Sequence, residues 1–427
     1  MDYWKLIPAA NCFTRAFFGY WVFVFKTHPE RFMANYKSKS APAVGMVSTY
    51  PPTTCGLATF TFALRNAMSA LRGSSDGLPV VSVVDAKSDT RSEVIHQHLN
   101  GDAGSLATAV ANLNKCDAVL IQHEYGIYGG ADGVEVLDLI ESLTVPSIAT
   151  LHTVPHDPTP EQKRILEAVV ASTAQTIVMS NAASLRLVSR YHIDPARVRV
   201  IPHGANPDLV GPSKTVGKRP VVLSWGLIGP GKGLETAIAA FSQLEDVTPR
   251  PRYIILGDTH PKVKAQQGDR YLEGLTAQAE EAGVGDVVEF DNRYLDTESL
   301  IGMIHSVDYV LIPYDSREQA TSGVLVEAIA AGKPVVATAF PHAVEMLGTG
   351  AGMVVPQQDP PAMAAALRKL LTDPDLAGQM AETARSLGST MYWPTVAAAY
   401  ESLLSNVVSD NQDHESVPGS RLFERIA

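Results

Sequence analysis

From Ala43 onward the chain alternates short apolar runs with segments of helical period. No other feature constrains the fold as much, because this is the pattern of parallel β-α-β units. A first series predicts strands near 43–49, 79–84, 117–122, 145–151, 175–179 and 198–201, with helices between most of them. A second predicts strands near 220–225, 251–256, 286–290, 307–312, 334–337 and 351–354. Between the two series, His203 to Arg219 (HGANPDLVGPSKTVGKR) has the Gly, Pro and polar content of an interdomain linker. The fold class is therefore α/β, with two doubly wound domains in tandem, and 427 residues exceed what one core usually organises. Two such domains turn their strand carboxyl ends toward a shared cleft, and ligands of open α/β sheets bind at those ends.

Composition narrows the chemistry. A formal net charge of −11 leaves no general basic surface for nucleic acid or anionic lipid, so any phosphate site must be local. Cys12, Cys55 and Cys116 are odd in number and widely spaced, which suits neither a disulfide framework nor a zinc site and points to a reducing cytoplasm. Residues 1–42 read as a poorly ordered extension. Within it, Ala16 to Phe25 (AFFGYWVFVF) is too short to span a bilayer as a helix. Two readings of that stretch stand: an interfacial anchor that gives peripheral contact with the inner face of the membrane, or sequence upstream of a true start at Met33.

The strongest local signal is VVLSWGLIGPGKGL at 221–234: an apolar strand, a glycine-rich turn, then a helix. Glycines let a backbone approach an anion, a helix start offers free N–H groups, and Lys232 adds a full charge. The segment is no P-loop, because Gly233 stands where the metal-binding hydroxyl is required, and its glycine spacing is not that of a dinucleotide fingerprint. A second glycine, Gly56 in STYPPTTCGLATF, precedes a helix after the first strand. A third anion-ready start is Thr321-Ser322-Gly323, with Glu327 about one turn further on, where a carboxylate can accept hydrogen bonds from a vicinal diol such as a ribose. His152, in ATLHTVPHDP, stands at a strand carboxyl end, and His123, in LIQHEYGIYGG, at the equivalent place of the preceding strand. His156 and His203 read as structural.

Together these residues resemble the family-4 retaining glycosyltransferases of the GT-B fold. The resemblance covers about 43–404 and rests on the Gly56 loop, His152, VIPHGAN at 200–206, GLIGPGKG at 226–233, SGVLVEAIAAGKPVVAT at 322–338 and the Trp393 helix. It implies an acceptor domain at 43–205, a donor domain at 206–388, a C-terminal helix at 389–404 returning to the first domain, and a polar tail at 405–427. It implies further that Lys232 binds the donor phosphates and that the helix start at Ser322, Gly323 and Val324 stabilises them. Gly56 would pack against the diphosphate, Glu327 would hold the ribose, and His152 would lie beside the anomeric centre. Asn292, Arg293 and Tyr294 fall where the family's base-binding backbone lies. Three departures stand out. Gln319 occupies the place of the first glutamate of the E-x7-E motif, with Glu318 beside it. Leu227 replaces a phosphate-binding arginine, and the P-N-G-V-D linker motif reads Pro202-His203-Gly204-Ala205-Asn206.

The expected activity is sugar transfer from a nucleotide-diphosphate sugar, of GDP-mannose or UDP-glucose type, to a glycan, lipid or small-molecule acceptor. No metal and no obligatory cofactor are expected, since no Asp-rich motif stands at a cleft position. The competing readings are a catalytically silent GT-B protein that binds a nucleotide sugar or glycan, and a sugar-nucleotide epimerase.

Overall fold

The computed structural model describes residues 41–211, 219–316 and 318–416. The N-terminal apolar stretch, the middle of the linker and the end of the polar tail lie outside them.

The first sheet is built from β1 (Val44–Ser48), β2 (Val80–Val84), β3 (Val94–Leu99), β4 (Ala118–His123), β5 (Ser147–Leu151), β6 (Gln175–Val178) and β7 (Val198–Val200). All seven strands are parallel, in the order β3-β2-β1-β4-β5-β6-β7. The second contains β8 (Val221–Trp225), β9 (Arg252–Leu256), β10 (Val288–Asp291), β11 (Tyr309–Ile312), β12 (Val335–Thr338) and β13 (Gly352–Val355), parallel in the order β10-β9-β8-β11-β12-β13. Continuous burial along β1, β4, β5, β8 and β12 is what helices on both faces impose on a parallel sheet. Strand order reverses between β1 and β4 and again between β8 and β11, and each reversal opens a crevice at the strand carboxyl ends.

Two elements depart from the sequence reading. β3, VIHQHL, was not expected: it is a sheet-edge strand whose polar side chains hide it from a search for apolar runs. The C-terminal helix runs Trp393–Ser416, well past the expected start of a polar tail, because Leu404 and Val407 still pack into the core of the first domain. Its start is tied to the linker: Ala205 N–H donates to Met391 O (2.8 Å), Trp393 N–H to Ala205 O (2.9 Å), and a Cβ on Gly204 would collide with the Trp393 ring at 2.1 Å. Further along, Glu401 forms a two-pronged pair with Arg72 of the helix Gly56–Arg72 (2.6 and 3.0 Å).

Side chains join the two halves as well. The Glu345 carboxylate accepts from the backbone N–H of Asn181 (3.0 Å) and Ala182 (2.8 Å), at the start of the helix Asn181–Arg190, where the helix dipole favours an anion. Ser180 Oγ donates to Ala320 O (2.6 Å), and Arg186 donates to the carbonyls of Val154 (2.7 Å) and Glu318 (3.2 Å). Among the described residues, no helix is long and apolar enough to cross a membrane.

Candidate active site

The glycine-rich turn leaves β8 at its carboxyl end and closes on the helix Leu234–Phe241. Gly233 caps that helix at φ +65°, and a Cβ there would stand 1.9 Å from the Pro313 carbonyl oxygen. The residue that excludes a P-loop is thus required by the backbone. Lys232 is half-buried, its Nζ 4.3 Å from the centre of the Tyr314 ring, which holds the ammonium at the mouth of a pocket also lined by Gly226, Leu227 and Val324.

Across the same crevice, the helix Gly323–Ala330 begins after β11. Ser322 caps it through its hydroxyl, which accepts from Leu325 N–H (3.2 Å). The Ser322 N–H, expected to face an anion, is instead spent on His342 Nδ1 (2.9 Å). Gly323 and Val324 remain as first-turn N–H groups without a hydrogen-bond partner among the described residues. Glu327 is partly buried and its carboxylate has a partner: Oε2 accepts from Trp225 Nε1 at 3.0 Å. Burial pushes its carboxyl up to about 6, with the indole pulling the other way.

Gln319 does not point freely into the crevice, because its amide donates to the Thr321 carbonyl. Glu318 beside it turns to the other domain, accepting from His156 N–H (2.5 Å) with Arg186 at 3.8 Å. Glu318, His156 and Asp157 cluster closely, but Arg190 binds His156 (2.7 Å) and Asp157 (3.5 Å), so cations already occupy that trio. Of the segment after β10, Arg293 is held by Asp291 (2.6 Å), and the Tyr294 hydroxyl reaches Thr59 Oγ1 of the first domain (3.3 Å). Asn292 directly follows Asp291, the last residue of β10.

On the first domain, Gly56 starts its helix with ordinary backbone angles, and a Cβ there would meet nothing within 4 Å, so no steric demand of the fold accounts for this glycine. His152 follows β5, donating from Nε2 to Gln122 Oε1 (2.8 Å) against the edge of Phe60 (4.8 Å between ring centres). Phe60 also meets His203 (5.0 Å) and Trp393 (5.1 Å), and His203 Nε2 stands 3.0 Å from where a Cβ on Gly323 would be. His152, Phe60, His203 and the Gly323 helix start therefore form a continuous layer across the cleft. Burial, reinforced by His203 and His123, holds His152 down to about 3, so the ring is neutral and acts as a hydrogen-bonding group. His123 is buried, both ring nitrogens lack a hydrogen-bond partner among the described residues, and burial holds it down to about 4.

Sequence reasoning missed Trp225, Tyr314, His342 and Phe60. Only Trp225, next to the glycine turn, had a local signal.

The chain matches the family model described as "Glycosyl transferases group 1" over residues 208–387 and that of "Glycosyltransferase Family 4" over 88–209. Among curated proteins it is similar to the D-inositol 3-phosphate glycosyltransferases of Corynebacterium jeikeium (29% identical over 57% of this chain and 60% of that protein) and Corynebacterium glutamicum (29%, 64% and 70%). It thus spans about 60–70% of the length of these relatives. Among solved structures, Anabaena HepE in complex with UDP matches 85% of this chain and 99% of its own at a TM-score of 0.69 and 18% identity. Sucrose-phosphate synthase from Thermosynechococcus elongatus matches 86% and 99% at a TM-score of 0.67 and 19% identity. Two adjoining family matches that together run over residues 88–387, on two parallel sheets arranged as in these structures, give the chain the GT-B fold and make it similar to glycosyltransferases across both sheets.

Proposed function

We propose that the protein transfers a hexosyl group from a nucleoside diphosphate sugar to a hydroxyl acceptor with retention of anomeric configuration. The donor binds the second domain and the acceptor the first. The observation that carries this reading is the pairing, over one strand-order reversal, of Lys232 with the N–H groups of Gly323 and Val324, and of Glu327 with Trp225 behind them. The first group fits a diphosphate and the second a ribose diol. HepE, whose fold this chain shares, has been solved with UDP-glucose, which supports a nucleotide-sugar donor.

In the reaction the bond from the anomeric carbon to the β-phosphate oxygen breaks and a bond to the acceptor oxygen forms on the same face. The acceptor proton passes to the departing phosphate. Lys232 and the helix start stabilise the charge that develops there, and Gly56 allows the first domain to close over it. His152, neutral and fixed by Gln122, orients donor and acceptor hydroxyls. The backbone at Asn292, Arg293 and Tyr294 receives the base.

The test is a thermal-shift screen of UDP, GDP and other nucleoside diphosphates, followed by donor turnover. A ligand at 100 times its Kd should stabilise the protein by about 2.7 kcal/mol. A screen in which no nucleoside diphosphate raises the melting temperature would refute the reading. Binding without any release of nucleoside diphosphate from a sugar donor would favour the silent binding protein, for which Leu227 in the phosphate pocket and the self-bonded amide of Gln319 are the supporting features.

Gln319→Glu tests whether the site is retuned around a neutral group. A glutamate cannot donate to the Thr321 carbonyl and would set a carboxylate near two phosphates, so donor binding should weaken by about 1–3 kcal/mol. Adding Leu227→Arg should recover part of the loss. Donor Kd for wild type, both singles and the double decides it, and strict additivity within about 0.5 kcal/mol would show that the two positions do not share the phosphate site.

A further inference from the structure

We propose that Lys262, at the start of the helix Pro261–Gln267 that follows the loop after β9, supplies a second cation to the diphosphate end of the donor site. The proposal rests on the nucleotide-sugar reading above and extends it to a residue that the sequence did not mark.

The loop is stitched to the glycine-rich turn. Ile228 N–H donates to Asp258 O (2.9 Å), His260 N–H donates back to Ile228 O (2.8 Å), and a Cβ on Gly229 would stand 3.5 Å from that of His260. Residues 258–260 therefore move with the turn that carries Lys232. Two residues on, Lys262 leaves this platform and crosses the cleft. Its Nζ lies 3.8 Å from the Cβ position of Gly126, in the segment after β4 of the opposite sheet. Among the described residues its ammonium belongs to no ion pair, whereas Lys264, two residues further on, is paired with Asp258 at 3.6 Å. The start of this helix packs directly on the turn: a Cβ on Gly229 would stand 3.3 Å from Val263 Cγ2, and Lys232 N–H donates to Gly229 O (3.2 Å).

The charge of the site gives this lysine its function. A departing nucleoside diphosphate carries more negative charge than one ammonium and two backbone N–H groups balance, and Leu227 contributes none. A lysine on a four-carbon stem reaches an anion as a point charge without needing a fixed fork geometry. A rival anion is Glu124, which also feels Lys262, but its carboxylate is already engaged by Thr153 Oγ1 (2.5 Å) and Tyr125 N–H (3.1 Å).

The experiment measures UDP, GDP, UMP and GMP binding by calorimetry to wild type, Lys262→Ala, Lys262→Ala/Leu227→Arg, Glu124→Gln and Lys262→Ala/Glu124→Gln. Lys262→Ala should weaken the diphosphate that wild type binds about tenfold, and the matching monophosphate less than twofold. Leu227→Arg should restore part of the loss. If wild type binds no nucleoside diphosphate, the donor reading fails and this inference with it. If wild type binds but Lys262→Ala binds equally well, or loses mono- and diphosphate alike, the inference alone is overturned. It is also overturned if Glu124→Gln reproduces the loss and the double variant adds nothing, which would assign Lys262 to a cross-cleft pair.

Discussion

Replacing Lys232 with alanine is expected to lower kcat about 10²–10³-fold while leaving the fold intact. Two features separate the effects. The ammonium is held by the face of Tyr314 at 4.3 Å, a contact whose loss costs about 0.5–1 kcal/mol, so little stability depends on it. The turn is shaped by Gly233 and the Pro313 carbonyl, neither of which the substitution touches. The charge matters most as the phosphate departs, in a pocket walled by Trp225, Tyr314 and Val324, where water screens little. The donor KM should therefore change less than kcat. Steady-state turnover of the donor, with a melting curve alongside, checks both halves. Near-normal kcat would remove Lys232 from the phosphate site, and a collapse of the melting temperature would give it a structural role.

The architecture was legible because parallel strands covered on both faces are written as apolar runs, and β1, β4, β5, β8 and β12 are buried along their whole length. The same rule hid β3, whose His96, Gln97 and His98 interrupt the run at a sheet edge. It also cut the C-terminal helix short. Past Ser405 the sequence turns polar, and only packing against the first domain shows that Val407 is still an inward position.

At the site, backbone devices were visible and partnerships were not. A glycine turn and a Ser-Gly helix start are local, so the sequence announces them. Glu327 and Trp225 are 102 positions apart, Ser322 and His342 are 20 apart, and Gln122 and His152 are 30 apart, and nothing in one member of each pair names the other. Gln319 shows the consequence. Its type suggested a side chain directed at the donor, whereas its amide bonds to Thr321 and Glu318 turns to His156 and Arg186 of the other domain.

The largest effect on stability is expected from Glu401→Ala. Glu401 is fully buried and pairs with Arg72 through both carboxylate oxygens, and the Arg72 side chain is only 4% exposed. Removing the acid strands a buried guanidinium, and breaking such a pair costs about 3–5 kcal/mol. At about 2–4 °C per kcal/mol for a domain of this size, the first unfolding transition should fall by roughly 10 °C. The pair clamps the C-terminal helix to the helix that starts at Gly56 and carries Phe60, so loss of the clamp should also loosen the cleft layer formed with His152 and His203. The paired change Arg72→Met/Glu401→Leu separates desolvation from attraction: two apolar side chains of similar volume leave no buried charge, and most of the lost stability should return. Thermal unfolding of the wild type, the single and the double variant is the measurement. If the double is as unstable as Glu401→Ala, packing around this pair and not its charge holds the helices together.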